Sequence, residues 1–507
     1  MFPSLADLNR KATLARVLAD LALVQLAALA ALLGTLLWRA TELDWTETVV
    51  VARIFAGYYA DRFLPLSLVF PLVFLSNGFY TRSRGYAGRY KWLVVLRGSL
   101  TATLIFLFLN FLLSRDEIMP RSSVLLFGLF LSAGTAGVRW GKSWLEAETE
   151  PGAGRRAASP PERAPVLVVG GAGYIGSILC RKLIEAGERV RVLDSLLYGD
   201  FAIRELLDRP DFELLPGDCR NIQSVVHAMR GVKSVVHLAA IVGDSACEQD
   251  RQTALEINYA ATRMMIEIAK GNGVERFLFA SSCSVYGASE FLMDENSAVR
   301  PISLYAQTKV DSEKALLEAR TDAFHPVILR LATVFGHGYR PRFDLVVNLL
   351  TAKACHEGVI TIFNGQQWRP FIHVRDVAGG MVRVLRAPLP LVGGEVFNLG
   401  DSSLNFTLNQ VAEEIRKQFP ETGVRQVDNP DRRDYRVSFD KIRRRLGFQC
   451  RIDLADGIRE MKRSFEQNAV ADYTDARYHN QKFLQLAGGT AHIDRVHSRV
   501  MAAFTGD

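Results

Sequence analysis

Between Val166 and Asp194 the chain reads VLVVGGAGYIGSILCRKLIEAGERVRVLD. An apolar run ends in a glycine cluster, a helical pattern follows, and a second apolar run ends in an aspartate. Strand, glycine turn, helix, strand is the opening unit of an open parallel sheet, and little else fits that order. Gly170, Gly173 and Gly176 are spaced GxxGxxG, with Tyr174 and Ile175 between the last two. Glycine is needed there because the backbone must turn tightly and let a pyrophosphate approach the helix amino terminus. Asp194 falls at the end of the second strand. A carboxylate in that place accepts hydrogen bonds from both ribose hydroxyls and repels a 2′-phosphate, which favours NAD over NADP.

Later strand ends follow the same logic. Phe212–Leu215 runs into GDCRN, where Asp218 either holds an adenine amino group or caps the helix starting near Ile222. Ser234–Leu238 runs into HLAAIVGD, where Leu238 and the small Ala239 and Ala240 let a cofactor lie close. His237 reads as a strand residue and not a ligand. The segment FASSCSVYG, residues 279–287, closes the next strand and puts Ser282 at its carboxyl end, where ligands of such sheets bind. SLYAQTKVDSEKALLEA then sets Tyr305 and Lys309 four residues apart on one helix face. A tyrosine of ordinary pKa, about 10, is a poor base at neutral pH. A nearby ammonium and a nicotinamide cation stabilise its phenolate, and Ser282 hydrogen-bonds the same substrate hydroxyl. An ordinary surface Tyr–Lys pair is the alternative; the complete dinucleotide half upstream argues against it.

The set GGAGYIGS, Asp194, SSCSVYG and YAQTK resembles the extended short-chain dehydrogenase/reductase family, in particular its nucleotide-sugar epimerases and dehydratases. The match runs from Val166 to about Phe465. It implies an α/β fold, a Rossmann-type doubly wound parallel sheet with a small carboxyl-terminal substrate lobe, and tightly held NAD. It also implies catalytic roles for Ser282, Tyr305 and Lys309, the last two touching the cofactor as well. Asn258, in EINYAAT, matches the family asparagine that props the catalytic helix, and is counted with the cofactor residues. LRLATVFGHG resembles the family's LRYFNVYGPG, with Thr333 where an asparagine usually meets the substrate; WRPFIHVRDVA resembles RDFIHVDDVA. Arg369 is then a pyrophosphate or sugar contact, with Arg342 and Arg433 as further substrate candidates.

The family's 4,6-dehydratases carry an Asp-Glu pair directly after the catalytic Ser/Thr, to protonate a leaving hydroxyl and remove the C5 proton. Here those positions are Cys283 and Ser284, which do neither at neutral pH. Cys283 and Cys247 are read instead as small pocket-lining residues. Hydride chemistry at one carbon remains: epimerisation at C4, with Ala239, Ala240 and Gly243 giving a ketone room to turn. A 4-ketoreductase or an oxidising decarboxylase would use the same Ser/Tyr/Lys set. A non-catalytic NAD-binding membrane scaffold would be expected to lose Tyr305 or Lys309. Family members often dimerise through two helices, so a homodimer is a further expectation.

The first 145 residues differ. Four runs are long enough to consider as spans: Leu14–Trp38, Phe63–Phe79, Trp92–Leu113 and Ser123–Trp140. Residues 1–165 carry 18 Lys+Arg against 12 Asp+Glu, whereas the remainder is nearly balanced. A basic excess beside apolar runs suits a membrane surface and not nucleic acid. Arg10, Lys11 and Arg16, the loop TRSRGYAGRYK, and Arg139, Lys142, Arg155 and Arg156 mark the inside face. Both termini are then cytoplasmic, with no cleavable signal peptide. The runs lack an amphipathic period, which argues against a soluble bundle. Expected boundaries are a transmembrane domain 1–145, a Pro/Gly/Ala-rich linker 146–165, a catalytic domain 166–465 and an unassigned extension 466–507 whose His479 is structural. Six cysteines without CxxC or zinc spacing suggest a reduced compartment and no metal site.

The stretch SNGFYTRSRGYAGRYKWLVVLRGSL is similar to the four-span module of membrane-bound polysaccharide-biosynthesis dehydratases. That resemblance implies a multi-pass protein of the inner (cytoplasmic) membrane with its catalytic domain in the cytoplasm. The substrate would be a sugar nucleotide or a polyprenyl-linked sugar, the pathway cell-envelope polysaccharide synthesis, and a glycosyltransferase a further partner beside the lipid bilayer.

Overall fold

The computed structural model describes residues 11–76, 98–105, 107–108, 121–149, 164–429, 431 and 433–486. The chain divides into two compact units, Met1–Glu162 and Arg163–Asp507.

In the first unit Lys11–Arg39, Trp45–Ser76 and Arg121–Thr149 are helices, with further helical residues at 98–105. Alanine and leucine dominate the first and are strong helix formers. Small and aromatic residues fill the interior, among them Ala27, Ala28, Ala31, Phe70, Phe74 and Phe127. So do hydroxyls: Ser99 and Thr135 lie 3.2 Å apart, and Ser123 Oγ donates to Thr35 Oγ1 at 2.9 Å. The Gln25 amide donates to Ser67 Oγ at 2.9 Å. The outside carries large apolar side chains instead, including Leu26, Leu64, Leu72 and Leu125.

Among the described residues, Val17–Arg39 is the one helix long and apolar enough by itself to cross a bilayer; Ser122–Thr135 is apolar but shorter. The expected four spans therefore reduce to one candidate. Phe63–Phe79 is the charge-free end of a helix that earlier carries Glu47, Arg53, Asp61 and Arg62, and residues 77–79 lie outside the described residues. Trp92–Leu113 is described only at 98–105 and 107–108. The basic loop 81–91 lies outside the described residues, as do positions 150–163 of the expected linker. The linker does not begin at 146, because helix Arg121–Thr149 runs on through LEAET, which is built of helix formers.

The second unit is built on a seven-stranded parallel sheet. Its order is Val396–Leu399, His325–Leu331, Arg276–Ser282, Ser234–His237, Val166–Val169, Val190–Asp194, Phe212–Pro216. This is the Rossmann arrangement, and its order reverses beside Val166–Val169, where such sheets open a crevice. Alternate residues serve opposite faces. Val166 and Val168 join a core with Leu179, Val192 and Leu278; Leu167 and Val169 join another with Val235, Met265 and Phe277. Both faces are covered, so the strands read as unbroken apolar runs.

A smaller lobe holds Thr333–Phe335, Trp368–His373 and Asn405–Thr407 in one sheet. Helices Val346–His356, Leu408–Gln418 and Leu454–Glu466 pack there around Leu350, Ile360, Val411 and Ile458. The extension packs on this unit: Tyr473 and Tyr478 meet the Phe343 ring edge-on. His479 Nε2 lies 2.8 Å from the Tyr473 carbonyl oxygen, a structural contact. Residues 487–507 lie outside the described residues.

Candidate active site

A cleft of about 1270 Å³ opens where the strand order reverses, lined from both the sheet ends and the smaller lobe. Gly170 sits at φ 88°, and a Cβ on it would meet Ala239 N at 2.7 Å. A Cβ on Gly176 would lie 2.3 Å from Gly170 O. Helix Tyr174–Glu185 follows Gly173, and no side chain caps its first turn, so its leading N–H groups are open to an anion. Tyr174 is buried and its hydroxyl donates to Gly336 O at 2.6 Å, tying the glycine turn to the smaller lobe. Ile175 lines the cleft beside it. Gly176→Ala is expected to lose all copurifying NAD, which mass spectrometry of released cofactor would check, because the added methyl overlaps the Gly170 carbonyl.

Asp194 stands at its strand end with both oxygens engaged: Oδ2 accepts from Ala172 N at 2.9 Å and Oδ1 from Leu196 N at 2.8 Å. Burial pushes its pKa up, against the pull of these two backbone donors. Asp218 lines the cleft in an ion pair with Arg220 at 2.8 Å. Helix Ile222–Ala228 is capped by Asn221, which accepts from Ser224 N at 2.9 Å, so the capping alternative for Asp218 falls away. Leu238, Ala239 and Ala240 form the adjoining wall. His237 is buried against Thr262 at 3.0 Å and burial pushes its pKa down to about 3, as befits a neutral strand residue.

Ser282 ends its strand at the cleft. Its Oγ accepts from Ser284 N at 3.2 Å and from Ser284 Oγ at 2.9 Å. Tyr305 and Lys309 lie on helix Leu304–Glu318, which Ser303 caps by accepting from Ala306 N at 3.2 Å. Lys309 Nζ donates to Ala280 O at 2.8 Å and sits 5.7 Å from the Tyr305 ring centroid. All three residues line the cleft. Burial pushes Lys309 down to about 8. Burial also pushes the Tyr305 phenol above its ordinary value, while the Arg342 charge and a hydrogen bond with Ser282 pull it back. The phenol is therefore a proton donor in the open site and turns base only when more positive charge arrives beside it.

Three expected contacts lie elsewhere. Cys283 does not face the cleft: the chain enters a tight 3₁₀ turn, Cys283–Tyr286, which sends the thiol into the core to donate to Arg330 O at 3.3 Å. Cys247 is likewise buried, donating to Ile241 O at 3.3 Å, and burial is the main cause that pushes its pKa up to about 12. Asn258 is behind the wall and not on it. Its amide exchanges two hydrogen bonds with Ile241, at 2.8 and 2.9 Å, and its carbonyl accepts from Ser312 Oγ of the catalytic helix at 3.0 Å. It props that helix and fixes the wall loop without lining the cleft itself.

Ser284, Thr333, Arg342, Arg369 and Arg433 do line the cleft. Sequence reasoning missed Arg340, Tyr198, Asp244 and Asn480, which line it too. The run YRPRFD carried a signal for Arg340 beside Arg342; nothing local marked Asn480, which arrives from the far end of the chain.

The residues present fit NAD. The glycines leave a cradle that any Cβ would fill, a helix amino terminus opens on it, and Asp194 stands where an adenosine ribose would lie. The volume exceeds the roughly 300–1,000 Å³ of a typical small-molecule pocket, leaving room for a second ligand.

A family described as NAD dependent epimerase/dehydratase matches residues 166–400. An uncharacterised UDP-glucose epimerase, YtcB of Bacillus subtilis, is 30% identical over 257 residues, covering 49% of this chain and 80% of that protein. A dTDP-glucose 4,6-dehydratase of Streptomyces niveus is 29% identical over 318 residues, covering 60% of this chain and 93% of that one. The crystal structure of UDP-glucuronic acid 4-epimerase from Bacillus cereus, in complex with UDP-glucuronic acid and NAD, aligns with a TM-score of 0.55 at 25% identity. It covers 60% of this chain and 99% of that one.

Proposed function

This chain belongs to the NAD-dependent epimerase/dehydratase family, and from that premise we propose that it inverts C4 of a nucleotide- or polyprenyl-phosphate-linked sugar at the cytoplasmic face of a membrane. The observation that carries the reaction is the Ser282, Tyr305 and Lys309 set on the dinucleotide cleft, with no carboxyl group in the two positions after Ser282. NAD bound in this cleft supplies a hydride acceptor and donor at one sugar carbon and a positive charge beside the phenol. Tyr305 Oη takes the proton of the sugar hydroxyl and returns it at the end of the cycle. Ser282 Oγ orients that hydroxyl, and the Lys309 ammonium, anchored on Ala280 O, stabilises the phenolate. The dehydratase relatives raise elimination as the rival. Elimination needs an acid and a base at the sugar's far side, whereas Cys283 is turned into the core and the Ser284 hydroxyl is bound to Ser282. Ala239, Ala240 and Gly243 leave the wall low enough for a ketone to present its other face.

The membrane assignment rests on the two faces of the first unit: leucines face out, while hydroxyls hydrogen-bond between helices inside, beside small and aromatic residues. A water-soluble bundle is built the other way round, while helices in lipid pack through small residues and interhelical hydrogen bonds. With the basic flanks of the sequence, this supports a membrane anchor in the first unit, a cytoplasmic catalytic unit, and a lipid-linked sugar or a neighbouring glycosyltransferase as partners.

The test is detergent-purified protein incubated with UDP-glucose, UDP-glucuronic acid and UDP-N-acetylglucosamine without added nicotinamide cofactor, read by proton NMR. A C4-epimer mixture with no net NADH is the expected result. A product that forms only with stoichiometric NADH, or with release of carbon dioxide or water, would overturn epimerisation in favour of reduction, decarboxylation or elimination.

A further inference from the structure

Among the described residues four arginines line the cleft, and three of them have a carboxylate partner. Arg342 pairs with Asp344 at 2.8 Å, Arg369 with Asp431 at 3.5 Å, and Arg433 with Asp244 at 2.7 Å. Arg340 has none among the described residues. It is 2% exposed, and its Nε–H meets no acceptor among the described residues. Its guanidinium lies 3.6 Å from the Tyr198 ring centroid, and Nη2 donates to Asn480 Oδ1 at 2.8 Å. Burial pulls its pKa down to about 10. A desolvated cation on the cleft wall, with no carboxylate beside it and one donor unmet, calls for an anion from outside the chain.

What holds Arg340 is the carboxyl-terminal extension. Asn480 and Gln481 are part of the cleft wall. Phe483 packs on Tyr198 with ring centroids 4.9 Å apart. Leu484 is buried with Ile241, Ala246 and Cys247 in a cluster that Tyr305 flanks. Upstream, Tyr478 O accepts from Phe343 N at 2.9 Å, fixing the extension to the loop that carries Arg340.

We propose that the segment Asp472–Leu486 completes the ligand cleft, with Asn480 setting Arg340 to bind the diphosphate of a nucleotide. A guanidinium is suited to that task because its fork donates to phosphate oxygens through charge-assisted bonds. Two ligands of this family's chemistry carry a diphosphate, the dinucleotide and the nucleotide sugar. Asn480 is a positioning residue: it acts through Arg340.

Calorimetric binding of ADP, UDP, adenosine and uridine to the full-length protein in detergent, stripped of cofactor, tests this. Arg340→Met is expected to weaken ADP or UDP by about ten- to a hundredfold while the matching nucleoside binds as before. Whichever diphosphate weakens names the source. Arg340→Lys recovers part of the loss, and Asn480→Ala reproduces it in smaller measure with an unchanged thermal midpoint. Unchanged affinity for both diphosphates, or an equal loss for nucleoside and diphosphate, overturns the proposal. Should Arg340→Met not fold, Asn480→Ala decides alone, by the same comparison. Because binding is read and not turnover, the outcome stands apart from which sugar reaction the site performs.

Discussion

Tyr305→Phe is expected to lower kcat by about 10²–10⁴-fold, the usual contribution of a positioned acid–base group, while the protein still folds and still carries NAD. The substitution removes one oxygen from a residue packed against the cluster of Ile241, Ala246, Cys247, Ala254 and Leu484, so the packing survives. Lys309 keeps its bond to Ala280 O, and Ser282 loses only its hydrogen bond with the phenol. The lost function is proton transfer alone, so kcat should fall with little change in KM. Lys309→Met separates the two charges: taking away a cation raises the phenol pKa further, which moves the acidic limb of the rate–pH profile upward. Lys309 itself, held down at about 8 by burial, is charged below that pH and neutral above it. Activity that depends on the ammonium therefore weakens as pH rises through 8. Full turnover by Tyr305→Phe would remove Tyr305 from the reaction.

What was legible in the sequence is what is encoded locally. The glycine spacing, the acidic strand end at Asp194 and the one-turn separation of Tyr305 and Lys309 each follow from a short periodicity. The sheet then brings them together at its carboxyl edge by a general rule of open α/β sheets. Cys283, expected at the pocket from its place directly after Ser282 in the family motif, is turned into the core by the 3₁₀ turn that starts there. Asn258 lies in a π-helical turn, Glu256–Ala260, which an ordinary helical count does not foresee. Arg340 and Asn480 are 140 residues apart and meet only in the folded unit, so no local pattern joins them. In the first unit the apolar runs were plain to read. The inward placement of Gln25, Thr35, Ser99, Ser123 and Thr135 was not, since it depends on which faces the helices share.

Arg330→Met is expected to destabilise the second unit by about 3–5 kcal/mol, the cost of leaving a buried charge without its partner. Arg330 and Glu313 are 6% and 4% exposed and meet through two parallel bonds, Nη2 to Oε2 at 2.7 Å and Nε to Oε1 at 3.1 Å. Glu313 also accepts from Ser281 Oγ, and Arg330 Nη1 donates to the Tyr286 hydroxyl at 3.0 Å. That hydroxyl in turn donates to Asn398 Oδ1 at 2.8 Å. The network thus ties the helix carrying Tyr305 and Lys309 to three neighbouring strands of the sheet, at the level of Ser281, Arg330 and Asn398. Methionine fills similar volume, so the loss measures the stranded Glu313 carboxylate and not a cavity. A drop of roughly 5–10 °C in thermal midpoint should follow. Pairing Arg330→Met with Glu313→Leu should recover part of it, since no charge is then left unpaired. The same single variant should also lose turnover through a displaced catalytic helix. If Arg330→Met melts with the parent protein, the position of Tyr305 and Lys309 must be set by the apolar packing of that helix and by Ser312 on Asn258 instead.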